Sequence, residues 1–135
     1  MNNKLNEIQK KLKANKGQRN SFGNYNYRSC EDILEAVKPL LGEATLVISD
    51  RVVLIGERYY IKATATLTDK TESVTGTAYA REPAEKKGMD LAQITGATSS
   101  YARKYALNGL FCIDDTKDAD TMNNTSPKGE DDLPF

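Results

Sequence analysis

Hydrophobic and polar residues alternate in three consecutive runs near the middle of the chain. The runs cover residues 46–55, 59–68 and 72–81, and two polar turns separate them, Gly56-Glu57-Arg58 and Asp69-Lys70-Thr71. In the middle run one face carries Tyr59, Ile61, Ala63, Ala65 and Leu67, and the other carries Tyr60, Lys62, Thr64, Thr66 and Thr68. This pattern predicts an antiparallel meander with one face in the core and the other in water.

Helical periodicity is found on both sides of these strands. The stripe Leu5, Ile8 and Leu12 predicts an amphipathic helix that ends near residue 16, and the polar residues 17–27 predict a loop. Ser29 and Asp32 resemble a capping box before a second helix, 31–41, and Asp90 is a good N-cap for a long helix over 93–111. We therefore predict an α+β fold, a three-stranded antiparallel β-meander packed on a long C-terminal helix, with N-terminal helices before it.

The long helix carries an apolar stripe beside a face with almost no bulk. The stripe consists of Ile94, Tyr101 and Tyr105, and we expect the two tyrosines to be core residues rather than platforms for bases. The bare face consists of Gly96, Ser99, Ser100 and Arg103. Such a face allows close approach either of the sheet or of a phosphate backbone, for which Arg103 and Lys104 supply positive charge.

Charge is distributed unevenly along a chain whose formal net charge is zero. The 135 residues, 39% of them apolar, are enough for one domain with a modest core. Residues 1–113 carry 17 basic and 12 acidic groups, a net +5, whereas residues 114–135 carry two and seven, a net −5. We predict an N-terminal helix over 1–16, a core over 17–113 and a disordered acidic tail over 114–135.

Several kinds of chemistry are disfavoured by residue usage. Histidine is absent, and Cys30 and Cys112 have no CxxC spacing, so we expect reduced structural thiols and neither a zinc site nor a catalytic histidine. A phosphate-binding GxxxxGK[ST] loop is also absent. Asp114, Asp115, Asp118 and Asp120 could hold a divalent metal in a nuclease, the weaker alternative because the chain is polar and flexible there. We expect no cofactor, no enzyme activity and no membrane segment.

A series of motifs resembles the bacteriophage ERF family of single-strand annealing proteins. The longest is Gln93, Gly96, Ser100-Tyr101-Ala102-Arg103-Lys104-Tyr105-Ala106-Leu107, Gly109-Leu110-Phe111, Ile113-Asp114-Asp115, Asp118 and Asp120. Upstream and in the same order come Tyr25-Asn26-Tyr27-Arg28-Ser29, a helix over 31–41, the run 60–69 and Ala80-Arg81-Glu82. The resemblance covers roughly residues 20–120, and linked motifs are more specific than single ones. It implies a β-β-β-α core similar to the strand-annealing fold of eukaryotic recombination mediators.

The resemblance also implies a function, ATP-independent annealing of single-stranded DNA in the cytoplasm of a bacterial host, by a homo-oligomeric ring or filament. Basic side chains would neutralise phosphates, and aromatic side chains would stack on bases for about 1–3 kcal/mol each. Candidate DNA-binding residues are Arg28, Lys62, Arg81, Lys86, Lys87, Arg103 and Lys104, with Tyr25 and Tyr27 for stacking. Lys62 can equally be an ordinary solvent-facing strand residue. The main alternative is a passive protein that coats single-stranded DNA.

The last five residues, Asp131, Asp132, Leu133, Pro134 and Phe135, are similar to the acidic tip of bacterial single-stranded DNA-binding proteins. In that family the tip recruits replication and repair enzymes through an aromatic side chain, a free carboxylate and flanking acids. The resemblance implies that the tip binds host replication or repair proteins. The alternative is an acidic end without a partner.

Overall fold

The structure, a computed structural model, describes residues 2–13, 18–20, 25–27 and 29–113, and for residues 2, 18–20 and 25–27 it describes the backbone alone. The helices are α1 (Asn2–Lys11), α2 (Cys30–Val37), which a short 3-10 turn (Lys38–Leu40) follows, and α3 (Leu91–Phe111). The strands are β1 (Gln18–Asn20), β2 (Tyr25–Tyr27), β3 (Thr45–Ile55), β4 (Arg58–Thr68) and β5 (Ser73–Arg81).

The three long strands form the predicted antiparallel meander in the order β3-β4-β5. Strands β3 and β4 are joined by a two-residue turn, in which Gly56 has a φ of 63°, a left-handed conformation that glycine adopts at little cost. Helix α3 follows β5 and packs on one face of the sheet. The predicted α+β fold, with a β-β-β-α core and helices before it, is confirmed.

The core lies between the sheet and α3, and the predicted alternation holds for most of β4. Its inward residues Ile61, Ala63, Ala65 and Leu67 are at most 3% exposed. Tyr59 was predicted to be the next core residue, but it is 54% exposed. The reason is that β5 ends opposite Tyr60, so the last inward-facing pair of the β3–β4 hairpin, Leu54 with Tyr59, extends beyond the three-stranded part of the sheet.

Helix α3 lies very close to β5 at Gly76. A Cβ atom at this position would lie 2.9 Å from the carbonyl oxygen of Ala106 and 2.9 Å from the Cβ atom of Leu110. Contacts this short are almost never tolerated in packed interiors. The small residues Ala102 and Ala106, both buried, extend this close approach along α3. Glycine on the strand and alanines on the helix therefore set the distance between helix and sheet.

The N-terminal segment differs in part from the prediction. Residues 17–27 were predicted to be a loop, whereas β1 and β2 pair as a small antiparallel hairpin. Helix α1 ends at Lys11, earlier than predicted, and Ile8 is fully buried in the common core. The Gln9 side chain also donates a hydrogen bond to the Leu110 carbonyl oxygen of α3 (2.9 Å). Both predicted helix caps are confirmed, at Ser29 for α2 and at Asp90 for α3.

Candidate nucleic-acid interface

The face of the sheet opposite α3, called here the open face, carries cations and no acid. Strand alternation and the pairing register assign to it Thr45, Val47, Ser49, Arg51, Val53 and Ile55 of β3, Arg58, Tyr60, Lys62, Thr64, Thr66 and Thr68 of β4, and Ser73, Thr75, Thr77, Tyr79 and Arg81 of β5. Its basic residues are Arg51, Arg58, Lys62 and Arg81. No acidic residue occupies any of these strand positions. The face therefore combines positive charge with hydroxyl groups and two tyrosines.

Lys62 lies at the centre of the open face. It pairs directly with Arg51 on β3 and with Tyr79 on β5, and its Nζ atom lies 5.8 Å from the centroid of the Tyr79 ring. Like charges directly opposite each other destabilise a strand pair, so Arg51 and Lys62 carry a local electrostatic cost. A bound anion would remove that cost. Phosphate oxygens between the two side chains fit this requirement.

Arg103 lies on the other side of the sheet and bonds to the protein itself. Its Nε atom donates a hydrogen bond to Oδ2 of Asp50 on β3 (2.8 Å), and the Ser99 hydroxyl donates to the same oxygen. The Arg103 hydrogen bond, and after it the Ser99 hydrogen bond, hold the pKa of Asp50 below its ordinary value of 3.8. The part of the bare face formed by Ser99 and Arg103 thus meets the sheet of the same domain, whereas Gly96 faces open space.

Lys104 is 2% exposed and lies between α2 and α3. It lines a cavity of about 260 Å³ beside the start of α2, and its Nζ atom lies 5.3 Å from the centroid of the Tyr105 ring. One turn further along α3 is Asn108, whose side-chain amide has no hydrogen-bond partner among the described residues. Burial was not expected for Lys104, because the spacing of residues on α3 does not reveal that α2 packs against this side of the helix.

The expected groove is thus divided by the sheet. Lys62 and Arg81 share the open face, whereas Arg103 and Lys104 lie on the helix side. Lys86 and Lys87 are exposed on the segment between β5 and α3, where Lys86 forms an isolated bridge with Met89. Contact of any of these residues with DNA stays a prediction. Arg28, the side chains of Tyr25 and Tyr27, and the tip 131–135 lie outside the described residues.

A second cavity, of about 390 Å³, lies beside β5, which is an edge strand of the sheet. Half-buried Tyr101 and Tyr105 line it, so the two tyrosines of the predicted apolar stripe face a cavity at the boundary of the core. Sequence reasoning missed this cavity, and it missed Arg51, Arg58 and Tyr79 on the open face. The alternation that identified Lys62 on β4, applied also to β3 and β5, would have found the last three.

Acidic side chains and thiols are scattered over the described part of the chain. Among these residues no group of three or more histidine, cysteine, aspartate and glutamate side chains could hold a metal ion, and no helix is long and apolar enough to cross a membrane. Both cysteines are free thiols. Cys30 is buried, and this burial raises the pKa of its thiol. Asp114, Asp115, Asp118 and Asp120 lie outside the described residues.

Comparison with known proteins gives two matches. The sequence profile described as the ERF superfamily matches residues 1–132. The "Essential recombination function protein" of Salmonella phage P22 is 69% identical to this chain over 118 residues, which make up 87% of this chain and 58% of the phage P22 protein. The chain thus spans less than two thirds of that relative's length. No solved structure matches.

Proposed function

The chain belongs to the ERF superfamily, and we propose that it acts in phage recombination by annealing complementary strands of DNA without ATP. The name of the phage P22 relative supports the recombination role. The observation that carries the annealing proposal is the open face, with four cations and no acid on its strands. It has the charge and the hydroxyl groups that a flexible polyanion needs in order to lie in an extended path.

Annealing needs no bond to be made or broken in the protein. Two DNA strands repel each other, and each has to be extended before its bases can pair with a partner. A cationic surface that releases counterions lowers the first cost, and a fixed path for the backbone lowers the second. Neither step requires a nucleotide, a metal or a catalytic residue.

The proposed DNA contacts fall into two groups. The first group binds phosphates on the open face and consists of Lys62, Arg81, Arg51 and Arg58. Arg103 is 38% exposed at its side chain and already bonded to Asp50, so it is a weaker contact that also fixes α3 to β3. Lys104 contributes mainly to the positive potential near the cavity between α2 and α3. Further proposed contacts are Lys86, Lys87, Arg28, Tyr25 and Tyr27.

A single copy of this small surface would hold a strand weakly, and we propose a ring or filament of several copies. Val52, Leu54 and Tyr59 lie together on the helix side of the β3–β4 hairpin end and are each more than half exposed. Strands β3 and β5 are both edges of the sheet.

The tip 131–135 is proposed to recruit host replication or repair proteins.

The test is annealing of complementary oligonucleotides that carry a fluorescence donor and acceptor, without nucleotide or metal. The protein should speed duplex formation. Replacing Arg51 and Lys62 by alanine should weaken single-strand binding and lower its salt dependence by about 0.7 in log–log slope for each phosphate that the variant no longer neutralises. The matched control removes two exposed lysines elsewhere, Lys10 and Lys70.

Two outcomes would contradict the proposal. If the protein binds both strands tightly but duplex forms no faster than without it, the protein coats DNA and does not anneal it. If the control variant loses as much affinity as the variant of the open face, net charge and not this surface determines binding.

A further inference from the structure

The cavity beside β5 has a chemical character different from that of the open face. One wall is a stripe of α3 comprising Ile94, Thr98, Tyr101 and Tyr105, and the opposite wall is β5 at Tyr79 and Arg81. Pro83, Lys86 and Met89 line it from the segment before α3. Its volume of about 390 Å³ lies within the range of pockets that bind small organic molecules.

The inner part of the cavity is apolar and aromatic. Ile94 is 3% exposed and Thr98 is 5% exposed. The Thr98 hydroxyl donates its hydrogen to the Ile94 carbonyl oxygen of the preceding turn (2.8 Å), so this donor is already used within α3. Three tyrosine rings provide flat surfaces, which suit a planar aromatic ligand. Stacking on such rings depends little on which base is bound, so the site should be tolerant of the identity of its ligand.

The rim of the cavity is cationic. Within the described part of the chain, the charged residues that line the cavity are Arg81 and Lys86, and both are exposed. The neighbouring Glu82 is not among the residues that line the cavity, and its Oε1 atom accepts a hydrogen bond from the Thr95 hydroxyl of α3 (2.9 Å). An apolar, aromatic interior beneath a cationic rim fits a flat ring that is attached to an anionic group.

The cavity is continuous with the open face. Tyr79 and Arg81 alternate with inward-facing alanines on β5, so they belong to the open face, and they also line the cavity. Since β5 is an edge strand, no further strand of its sheet separates the two surfaces. A DNA backbone that crosses the open face past Lys62 and Tyr79 reaches the mouth of the cavity with its phosphates near Arg81.

We infer that the cavity between β5 and α3 binds a nucleobase of the single strand, rotated out of the stack, while Arg81 and Lys86 bind the phosphates beside it. The inference rests on the proposed function, the annealing of DNA strands, and adds a base-binding site to the surface that holds the strand. The bound base anchors the strand at one point in each copy, and the remaining bases stay exposed for pairing. Stacking on tyrosine accepts any base, as annealing of arbitrary sequences requires.

The experiment separates binding of bases from binding of phosphates. Affinity of the full chain is measured for oligothymidylate and for a strand of equal length in which tetrahydrofuran replaces every base. The wild-type protein should bind oligothymidylate about tenfold more tightly. Tyr101→Leu should lose most of that preference and keep its affinity for the abasic strand, which also shows that the variant is folded. The matched control, Leu91→Ala, changes an apolar side chain that is 73% exposed and lies outside the cavity, and it should behave as wild type.

Photo-crosslinking from 5-iodouracil in the strand, followed by peptide mapping, provides a second measurement. Crosslinks at Tyr79, Tyr101 or Tyr105 are expected. The inference is overturned if the wild type binds both strands equally, if Tyr101→Leu weakens both equally, or if crosslinks form only outside the cavity. It is also overturned if a peptide of residues 128–135, and not DNA, occupies the cavity. Failure to bind either strand would instead refute the proposed function.

Discussion

The sequence indicates that Arg103 contacts a ligand, whereas in the structure its side chain stabilises the fold. It follows Ser100-Tyr101-Ala102 on a helix face without bulk, the setting in which a free cation is expected. The structure instead pairs it with Asp50, and Ser99 completes the cluster. The pair joins α3 to the edge strand β3, in addition to the packing of α3 on β4 and β5. Substitution of Arg103 will therefore change stability as well as any binding.

The acid stability of the fold should depend on Asp50. The pKa of Asp50 is lowered in the folded state, so its stabilising effect is present above about pH 4 and is lost as pH falls through the lowered value. Asp50→Asn should reduce the free energy of unfolding by about 1 kcal/mol at pH 7. This value is lower than for a fully buried ion pair, because solvent screens the partly exposed charges. The difference in stability between the variant and the wild type should vanish at low pH. Urea unfolding across this range measures both.

A matched control is Glu57→Gln, which changes an exposed carboxylate in the β3–β4 turn and should leave stability unchanged at every pH. An equal loss for Asp50→Asn at pH 7 and at the acid end would mean that packing, and not the charge of Asp50, stabilises this link between α3 and β3.

At the scale of elements, the distance between α3 and β5 depends on glycine at one position of the strand. Gly76 has an ordinary backbone conformation, so space and not torsion requires glycine there. Gly96 and Gly109 on the helix have no such neighbour, since a Cβ atom at either would meet nothing within 4 Å. The glycine that fixes the packing is therefore on the sheet, whereas sequence reasoning looked for the close approach on the helix.

Two alanine substitutions should consequently have opposite effects. Gly76→Ala forces α3 away from the sheet and should destabilise the fold by about 2 kcal/mol. Gly96→Ala adds a methyl group in open space and improves helix propensity, so it should stabilise by up to about 1 kcal/mol. Thermal or urea unfolding of both variants distinguishes these effects. A loss of DNA binding in a stable Gly96→Ala protein would indicate that the backbone of DNA approaches α3 at this point.

The elements that could be predicted from the sequence are those with a strong local signal. Alternation placed the three long strands to within a residue or so, and the Ser29 and Asp90 caps placed two helix starts. The features that could not be predicted depend on tertiary contacts. Neither the burial of Lys104 by α2 nor the exposure of Tyr59 beyond the end of β5 has a local signature, because each depends on which other element reaches that place. The same holds for the cavity beside β5.

At the scale of the whole molecule, the end of the β3–β4 hairpin is an incomplete core. Val52, Leu54 and Tyr59 continue the inward face of the sheet, but within the described residues each remains more than half exposed. Solvated apolar clusters of this kind are commonly covered by another protein surface. A second copy of the chain is the partner that an oligomer would supply, and an open edge strand lies beside the cluster.

Leu54→Gln should weaken self-association at least tenfold and leave the fold intact, because Leu54 is already 58% exposed in the isolated chain. Sedimentation velocity at several protein concentrations measures the change. Val47→Gln is the control, since Val47 is similarly exposed (55%) but lies on the open face. A wild-type protein that sediments as a monomer at micromolar concentration, with and without DNA, would contradict the proposed oligomer.

The alternation of side chains along β3 has a kinetic consequence. Asp50 and Arg51 are consecutive residues, yet Asp50 lies on the helix side, where Arg103 pairs with it, and Arg51 lies on the open face, whose strand positions carry cations and no acid. The charge of Asp50 is therefore balanced locally, whereas the positive charge of the open face is not offset by an acid at these strand positions. If the open face binds DNA as proposed, its unbalanced positive charge should attract a strand before contact and raise the association rate constant chiefly at low ionic strength. Once a first strand has neutralised this face, we expect the capture of a second strand to be governed by base pairing and not by attraction to the protein.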